Sequence, residues 1–168
     1  MDWENGAEDF FQTLFSTNGL VLSQVLQLTG LSAHTVQNWV KRGFVPPPQN
    51  KKYNREQLCA IVIINMLHPV LQIEHIHRVI AYVGQLREDA PSLVYFAFVH
   101  TLAALPEDTL GANTNLGTII AQVLKGMALD GELFERMHKV LHAMVLAQLS
   151  SVRKADAEKI MATLPVMN

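Results

Sequence analysis

The sequence predicts an all-α fold, and three observations support that class. Apolar residues recur at helical spacing in most segments, and residues that cap or end helices, such as Ser, Asn, Gly and Pro, separate these segments. No window shows the alternation of Val, Ile and Thr with polar residues that is typical of a strand. Hydrophobic residues make up 49% of the 168 positions, which is ample for a packed core. Only one short ribbon is expected to depart from helix.

Residues 1–19 are predicted to form an N-terminal helical arm. The arm begins with an acidic stretch, and Phe10, Phe11, Leu14 and Phe15 then follow at helical spacing. Such a stripe is typical of a helix that packs on the rest of a fold.

Residues 22–44 are predicted to form two short helices joined at Gly30. Ser23 and Ser32 can cap the two helices, because a serine oxygen accepts hydrogen bonds from the first backbone N–H groups. Gly30 tolerates the positive φ that a tight turn requires. We expect Trp39 to lie in the core. The residues expected to pack the helices together are Val25, Leu26, Leu28, Leu31, Val36, Trp39 and Val40.

The outward side of the second helix is rich in amide, hydroxyl and cationic groups. These are the groups that hydrogen-bond base edges and phosphates in a major groove. The pattern predicts a helix-turn-helix whose second helix, about residues 33–42, reads double-stranded DNA. The residues assigned to this contact are His34, Thr35, Gln37, Asn38, Lys41 and Arg42.

A short wing is predicted after these helices. Gly43 ends the second helix, three prolines at positions 46–48 stiffen the chain, and a polar basic segment leads to a new helix capped by Asn54. We expect this wing to contact phosphate and to include a short ribbon. The wing residues assigned to DNA are Lys51, Lys52, Tyr53 and Arg55.

The order of these elements resembles the winged helix-turn-helix of the MerR family of transcription regulators. The similarity covers residues 20–83, and it is carried by the Gly30 turn, Gly43-Phe44, the prolines and the segment from Tyr53 to Leu58. The segment Leu71-Gln72-Ile73-Glu74-His75-Ile76 matches more loosely. The resemblance implies DNA binding, as in an uncharacterised bacterial branch with a helical C-terminal region. It implies no effector.

The charge distribution is uneven along the chain. The formal net charge of −2 argues against general affinity for nucleic acid. Between Phe10 and Arg55, however, there is no Asp or Glu, so this stretch is locally basic. Its basic residues are Lys41, Arg42, Lys51, Lys52 and Arg55.

Residues 84–168 are predicted to form an all-α dimerisation or regulatory region, after a polar boundary at 84–91. Candidate helices cover 92–105, 116–129, 132–152 and 155–164, with a break near Arg153. A small module reads too few base pairs to select one site, so we expect a homodimer held mainly by this half. The longest helix has an apolar face wider than a coiled-coil seam. That face consists of Leu133, Met137, Val140, Leu141, Met144 and Val145.

No catalytic, cofactor or metal site is predicted. His138 and His142 are four residues apart on one helix, but no HExxH pattern surrounds them. Cys59 lies among apolar residues and is expected to be buried and inert. The loop at 111–117 lacks the Gly-Lys-Ser/Thr ending of a phosphate-binding loop. The single cysteine, the lack of a secretory signal and the lack of a membrane-spanning stretch lead us to expect a cytoplasmic protein.

Two functions remain open from the sequence. The first is a sequence-specific DNA-binding transcription regulator. The second is a winged-helix module for protein interaction, a scaffold without DNA binding. An enzyme, as a third possibility, has no positive evidence. The discriminating feature is whether the five cations share one face with Gln37 and Asn38.

Overall fold

A computed structural model describes residues 3–16, 18–106 and 115–164, with side chains from residue 9 onward. Within these ranges the chain is mostly helical, and its small sheet has two strands of two residues each, which confirms the all-α class. The elements in chain order are α1 (Trp3–Phe15), β1 (Leu20–Val21), α2 (Leu22–Thr29), α3 (Ala33–Lys41), β2 (Lys52–Tyr53), α4 (Arg55–Leu67), α5 (Ile73–Gly84), α6 (Ala90–Ala104), α7 (Leu116–Gly126) and α8 (Gly131–Met161).

The N-terminal helix packs on the middle of the fold through Phe11, Leu14 and Phe15 of its predicted stripe, whereas Phe10 is 53% exposed. The Phe11 side chain is buried. The centre of its ring lies 5.5 Å from the ring centre of Tyr95 and 5.3 Å from that of Phe96. Both partners belong to α6, so α1 is fixed to the second half of the chain.

Helices α2 and α3 form as expected, with two corrections. Gly30 has a φ of 70°, and the Ser32 hydroxyl caps α3 by accepting from the Thr35 N–H at 3.1 Å. The prediction of a Ser23 cap is wrong: α2 already begins at Leu22, and the Gln24 side chain accepts from the Val21 N–H at 3.0 Å. The packing role of Leu28 is also wrong, because Leu28 is 46% exposed.

The small sheet is a ribbon that pairs strands from either side of α2 and α3, so only one of its two strands lies in the segment predicted as a wing. Strand β1 runs antiparallel to β2, with Leu20 opposite Tyr53. At the ribbon tip, Gln49 and Lys52 exchange backbone hydrogen bonds of 3.1 and 2.8 Å. Asn50 and Lys51, between them, have φ angles of 48° and 61°, as in a type I′ hairpin turn.

Gly19, at a φ of 96°, makes the close approach of the two strands possible. A Cβ atom at this position would lie 2.9 Å from the Tyr53 carbonyl oxygen. A larger residue would therefore push β1 from β2 in addition to straining the backbone.

A single hydrophobic cluster joins the two predicted halves of the chain. Helix α6 packs on α4, α5, α7 and α8, so the turn after Gly84 does not separate two cores. Arg136 of α8 strengthens this connection, since its guanidinium donates to the Tyr82 carbonyl and to Gln85 Oε1, both at 2.6 Å. Fully buried residues of the cluster include Ile61, Ile64, Val94, Phe98, Met137 and Leu141.

The break predicted near Arg153 is wrong, because α8 continues to Met161. No Gly or Pro interrupts this stretch, and Lys154 with Glu158 and Asp156 with Lys159 form ion pairs along the helix. The predicted apolar face of α8 is buried at Met137, Val140, Leu141, Met144 and Val145 and half-buried at Leu133. Beyond Leu149 most side chains are exposed, so this end of α8 extends past the core.

The connection between the predicted helices 92–105 and 116–129 lies largely outside the described residues. None of the described helices combines the length and the apolar character needed to cross a membrane.

Candidate nucleic-acid interface

Four of the sequence-predicted residues form one exposed face of α3. His34, Gln37, Asn38 and Lys41 are exposed, and their spacing of i, i+3, i+4 and i+7 places them along one side of the helix. The opposite side buries Val36 and Trp39. The face presents two amides, an imidazole and an ammonium group to solvent.

Trp39 and Thr35 support this face without belonging to it. Trp39 is 6% exposed, and its ring lies 6.4 Å from that of His68, which confirms the predicted core position. The half-buried Thr35 hydroxyl lies 2.8 Å from the Ser32 hydroxyl, so it is engaged in the cap of its own helix. Thr35 is therefore less available for an outside contact than the sequence predicts.

Arg42, at the end of α3, is held by the neighbouring helix α5. Its Nη2 donates to Glu74 Oε1 at 2.7 Å, and its guanidinium carbon lies 4.6 Å from the centre of the Phe44 ring. The Phe44 ring also contacts that of His77, at 5.7 Å. Arg42 thus sits beside the exposed face in a defined position.

In the segment predicted as a wing, Lys51 is exposed at the tip of the ribbon turn, while Lys52 is half-buried. Tyr53 departs from the prediction. Its side chain is 3% exposed and belongs to the core cluster, and this burial raises the pKa of its hydroxyl above the ordinary value. Its ring holds the ribbon on the core, so little of Tyr53 is available for the DNA contact that the sequence predicts.

Arg55 is half-buried and contacts the second half of the chain. Its guanidinium lies over the Phe96 ring of α6, 4.9 Å from the ring centre. Arg55 and Lys52 line a cleft of about 290 Å³ beside the ribbon, together with Phe15, Asn18, Gly19, Gln49, Asn50, Tyr53, Asn54 and Gln57. The five predicted cations therefore have different surroundings: Lys41 and Lys51 are exposed, whereas Arg42 and Arg55 are engaged by α5 and α6.

Sequence reasoning missed Gln57, which fixes the wing to α4. Gln57 is 4% exposed, and its Nε2 donates to the carbonyl oxygens of Pro46 and Pro47 at 3.0 and 2.8 Å. Its Oε1 accepts from the Asn54 N–H at 2.7 Å, while Asn54 Oδ1 accepts from the Gln57 N–H at 2.9 Å. This reciprocal pair is a capping box, so the Asn-x-x-Gln spacing could have indicated it.

A second missed residue, Glu56, connects α4 to α6. Its Oε2 accepts from the Ser92 N–H at 2.8 Å, in the first turn of α6. The position of α4, and with it the end of the ribbon, thus depends on the second half of the chain.

The histidines and the cysteine that the sequence analysis considered as possible site residues make contacts within the fold. The His138 and His142 rings are 6.2 Å apart, and His138 Nε2 lies 3.0 Å from the Gly117 carbonyl oxygen. The described residues contain no group of three His, Cys, Asp or Glu placed to hold a metal ion. Cys59 is buried as predicted; burial first, and the charge of Glu56 second, raise the pKa of its thiol to about 12.

Residues 13–98 match the family described as "Domain of unknown function (DUF1836)", and this chain belongs to that family. The chain is similar to "Uncharacterized protein YkrK" of Bacillus subtilis (strain 168), with 36% identity over 70 residues. This match covers 39% of the chain and 30% of the relative, so the chain spans less than a third of the protein that it matches. No solved structure matches the chain.

Proposed function

We propose that this chain is a sequence-specific DNA-binding transcription regulator with a MerR-like winged helix-turn-helix. The observation that carries the proposal is the exposed face of α3, with His34, Gln37, Asn38 and Lys41 at helical spacing. A helix that presents amides beside a cation can enter a major groove and bond both base edges and phosphates.

Each group has a role that follows from its chemistry. Gln37 and Asn38 carry amides that can pair with the donor and acceptor of an adenine edge. Lys41 and Lys51 are exposed ammonium groups suited to phosphate contact. The absence of any Asp or Glu from position 10 to position 55 removes repulsion of phosphate along this part of the chain.

A protein-interaction module is the competing function, and one observation favours it. Val21, the last residue of β1, and Leu28, near the end of α2, are exposed at 40% and 46%. Exposed apolar side chains suit a protein surface better than a phosphate backbone. Salt-dependent binding to a DNA duplex distinguishes the two functions, because phosphate contact releases the counterions condensed on DNA.

A homodimer is part of the proposal, with the end of α8 as its interface. Val152, Ile160 and Met161 are exposed there, as are Leu146 earlier in α8 and Leu164 just after the helix. A helix that extends past its own core with apolar residues can bury them against the same helix of a second copy. Two recognition helices about one DNA turn apart would then read a palindrome.

The test is fluorescence anisotropy with a labelled duplex, selected from a random pool, and with a random-sequence duplex of the same length. Asn38→Ala should weaken binding of the selected duplex by about 1–3 kcal/mol and relax preference at particular base pairs. Lys51→Ala should weaken both duplexes alike and reduce the salt slope by about one. Gln122→Ala and Lys139→Ala, which change exposed residues of α7 and α8 in the same chemical way, serve as controls. Equal loss on both duplexes for Asn38→Ala, or binding without salt dependence, would refute the proposal.

A further inference from the structure

Arg42 is restrained on two sides although it lies at the surface. Its side chain is 48% exposed, yet one nitrogen is bonded to Glu74 and the guanidinium plane covers the Phe44 ring. Lys41, one residue earlier, is exposed and has no ion pair with any described residue. The side chains of these two adjacent cations at the end of α3 therefore differ in how tightly neighbouring residues hold them.

The restraint leaves much of the guanidinium available. Arginine carries five N–H donors in a planar fork, and Glu74 accepts from Nη2 alone. Nε, Nη1 and the second N–H of Nη2 make no hydrogen bond to any residue that the structure describes, so Nη2 can still form a two-donor fork with one of its neighbours. A planar group with several free donors, held at a half-exposed position, matches the two oxygens of a phosphate.

We propose that Glu74 and Phe44 are positioning residues, which hold Arg42 ready for a bidentate contact with one DNA phosphate. The inference rests on the proposed function, since it assigns a phosphate to the edge of the α3 face. Its physical basis is entropy: a long side chain that is ordered before binding loses less freedom when the phosphate arrives. Phe44 is itself held by His77, so α5 determines the direction of Arg42.

The direction in which Glu74→Ala changes the affinity for DNA distinguishes a positioning role from a simple effect of charge. Glu74 is an acid near the proposed phosphate, so charge alone predicts that Glu74→Ala tightens DNA binding. Positioning predicts the opposite, a weakening of about two- to tenfold, which corresponds to the cost of ordering one long side chain on binding. Phe44→Leu should weaken binding similarly without any change of charge.

Salt titration separates positioning from the contact itself. Arg42→Ala should reduce the salt slope by about one, because it removes a cation from the phosphate. Glu74→Ala and Phe44→Leu should leave the slope unchanged, because Arg42 remains charged. The control is Asp89→Ala, which removes the partner of Arg87 from an ion pair of the same 2.7 Å length and similar exposure on the α5–α6 connection. That control should not weaken binding.

A measurement without DNA tests the restraint separately. In the free protein, the Nε–H signal of Arg42 should show an ordered side chain by ¹⁵N relaxation, and this order should be lost in Glu74→Ala and in Phe44→Leu. If the parent protein shows no salt-dependent duplex binding, the proposed function fails and the phosphate contact fails with it. If the parent binds but Glu74→Ala binds as tightly or more tightly, the positioning role alone is overturned. A mobile Arg42 in the free parent also overturns it.

Discussion

Replacing Gln57 by Leu should destabilise the protein and disturb the wing more than any exposed substitution would. The side chain is buried, and its three side-chain hydrogen bonds connect α4 to Pro46, Pro47 and Asn54. Leu has a similar volume, so the loss comes from hydrogen bonding and not from a cavity.

The magnitude follows from the three bonds. Each intramolecular hydrogen bond contributes about 0.5–1.5 kcal/mol net. Gln57→Leu removes all three of these bonds, and their partners belong to Pro46, Pro47 and Asn54, exposed residues whose backbone groups can find water. We therefore expect a loss of about 2–4 kcal/mol in the free energy of unfolding, or about 4–16 °C in Tm for a chain of this size.

Gln57→Glu refines the test because it keeps the acceptor for the Asn54 N–H but removes the donors. The introduced carboxylate would lie against the two proline carbonyl oxygens, so burial and repulsion should raise the pKa of this new carboxyl group in the folded protein. A folded-state pKa above the unfolded value means that the folded protein binds more protons. The stability of this variant should therefore fall as pH rises from about 4 to 7, relative to the parent.

The assay is urea denaturation followed by circular dichroism, with Gln27→Leu, an exposed site on α2, as the control. The control should change stability by no more than about 0.5 kcal/mol. A loss of less than about 1 kcal/mol for Gln57→Leu would show that the Pro46–Pro47 segment does not depend on Gln57.

Three further predictions concern the core, the thiol and assembly. Trp39→Ala should cost about 3–5 kcal/mol in urea denaturation, and an unchanged midpoint together with lost DNA binding would contradict its core position. The Cys59 thiol has a pKa of about 12 when folded, well above its unfolded value of about 8.5, so stability should fall between these pH values. Cys59→Ala should remove about 1.4 kcal/mol per pH unit of that slope, and an unchanged slope would mean that the thiol is not buried. Light scattering should show a dimer that becomes a monomer when residues 152–168 are deleted; a monomeric parent at micromolar concentration refutes the dimer.

Local signals in the sequence predicted much of the fold. The caps at Ser32 and Asn54, the Gly30 turn and the buried Trp39 depend on interactions within a few residues, so spacing and residue type were enough to find them. The break predicted near Arg153 is wrong because no local signal ends α8 there. The ion pairs along this stretch favour continuation of the helix.

The direction of individual side chains could not be predicted from local signals in the sequence. Glu74 holds Arg42 from 32 positions further along the sequence (74 − 42). Phe96 contacts Arg55 from 41 positions further along (96 − 55). Tyr53 is buried because the ribbon returns to the core. Periodicity says which side of a helix is outward, but it cannot say which distant helix will meet a long cation.

The packing of α4 on α6 limits where recombination could join this chain to a segment of another protein. Recombination just after Gly84 would give the first half a foreign tail and leave Phe11 without its ring partners and Glu56 without the Ser92 N–H. The family match runs past this point and ends at residue 98, inside α6. The region that matches the family therefore includes most of α6, the helix that supplies the contacts of Phe11 and Glu56.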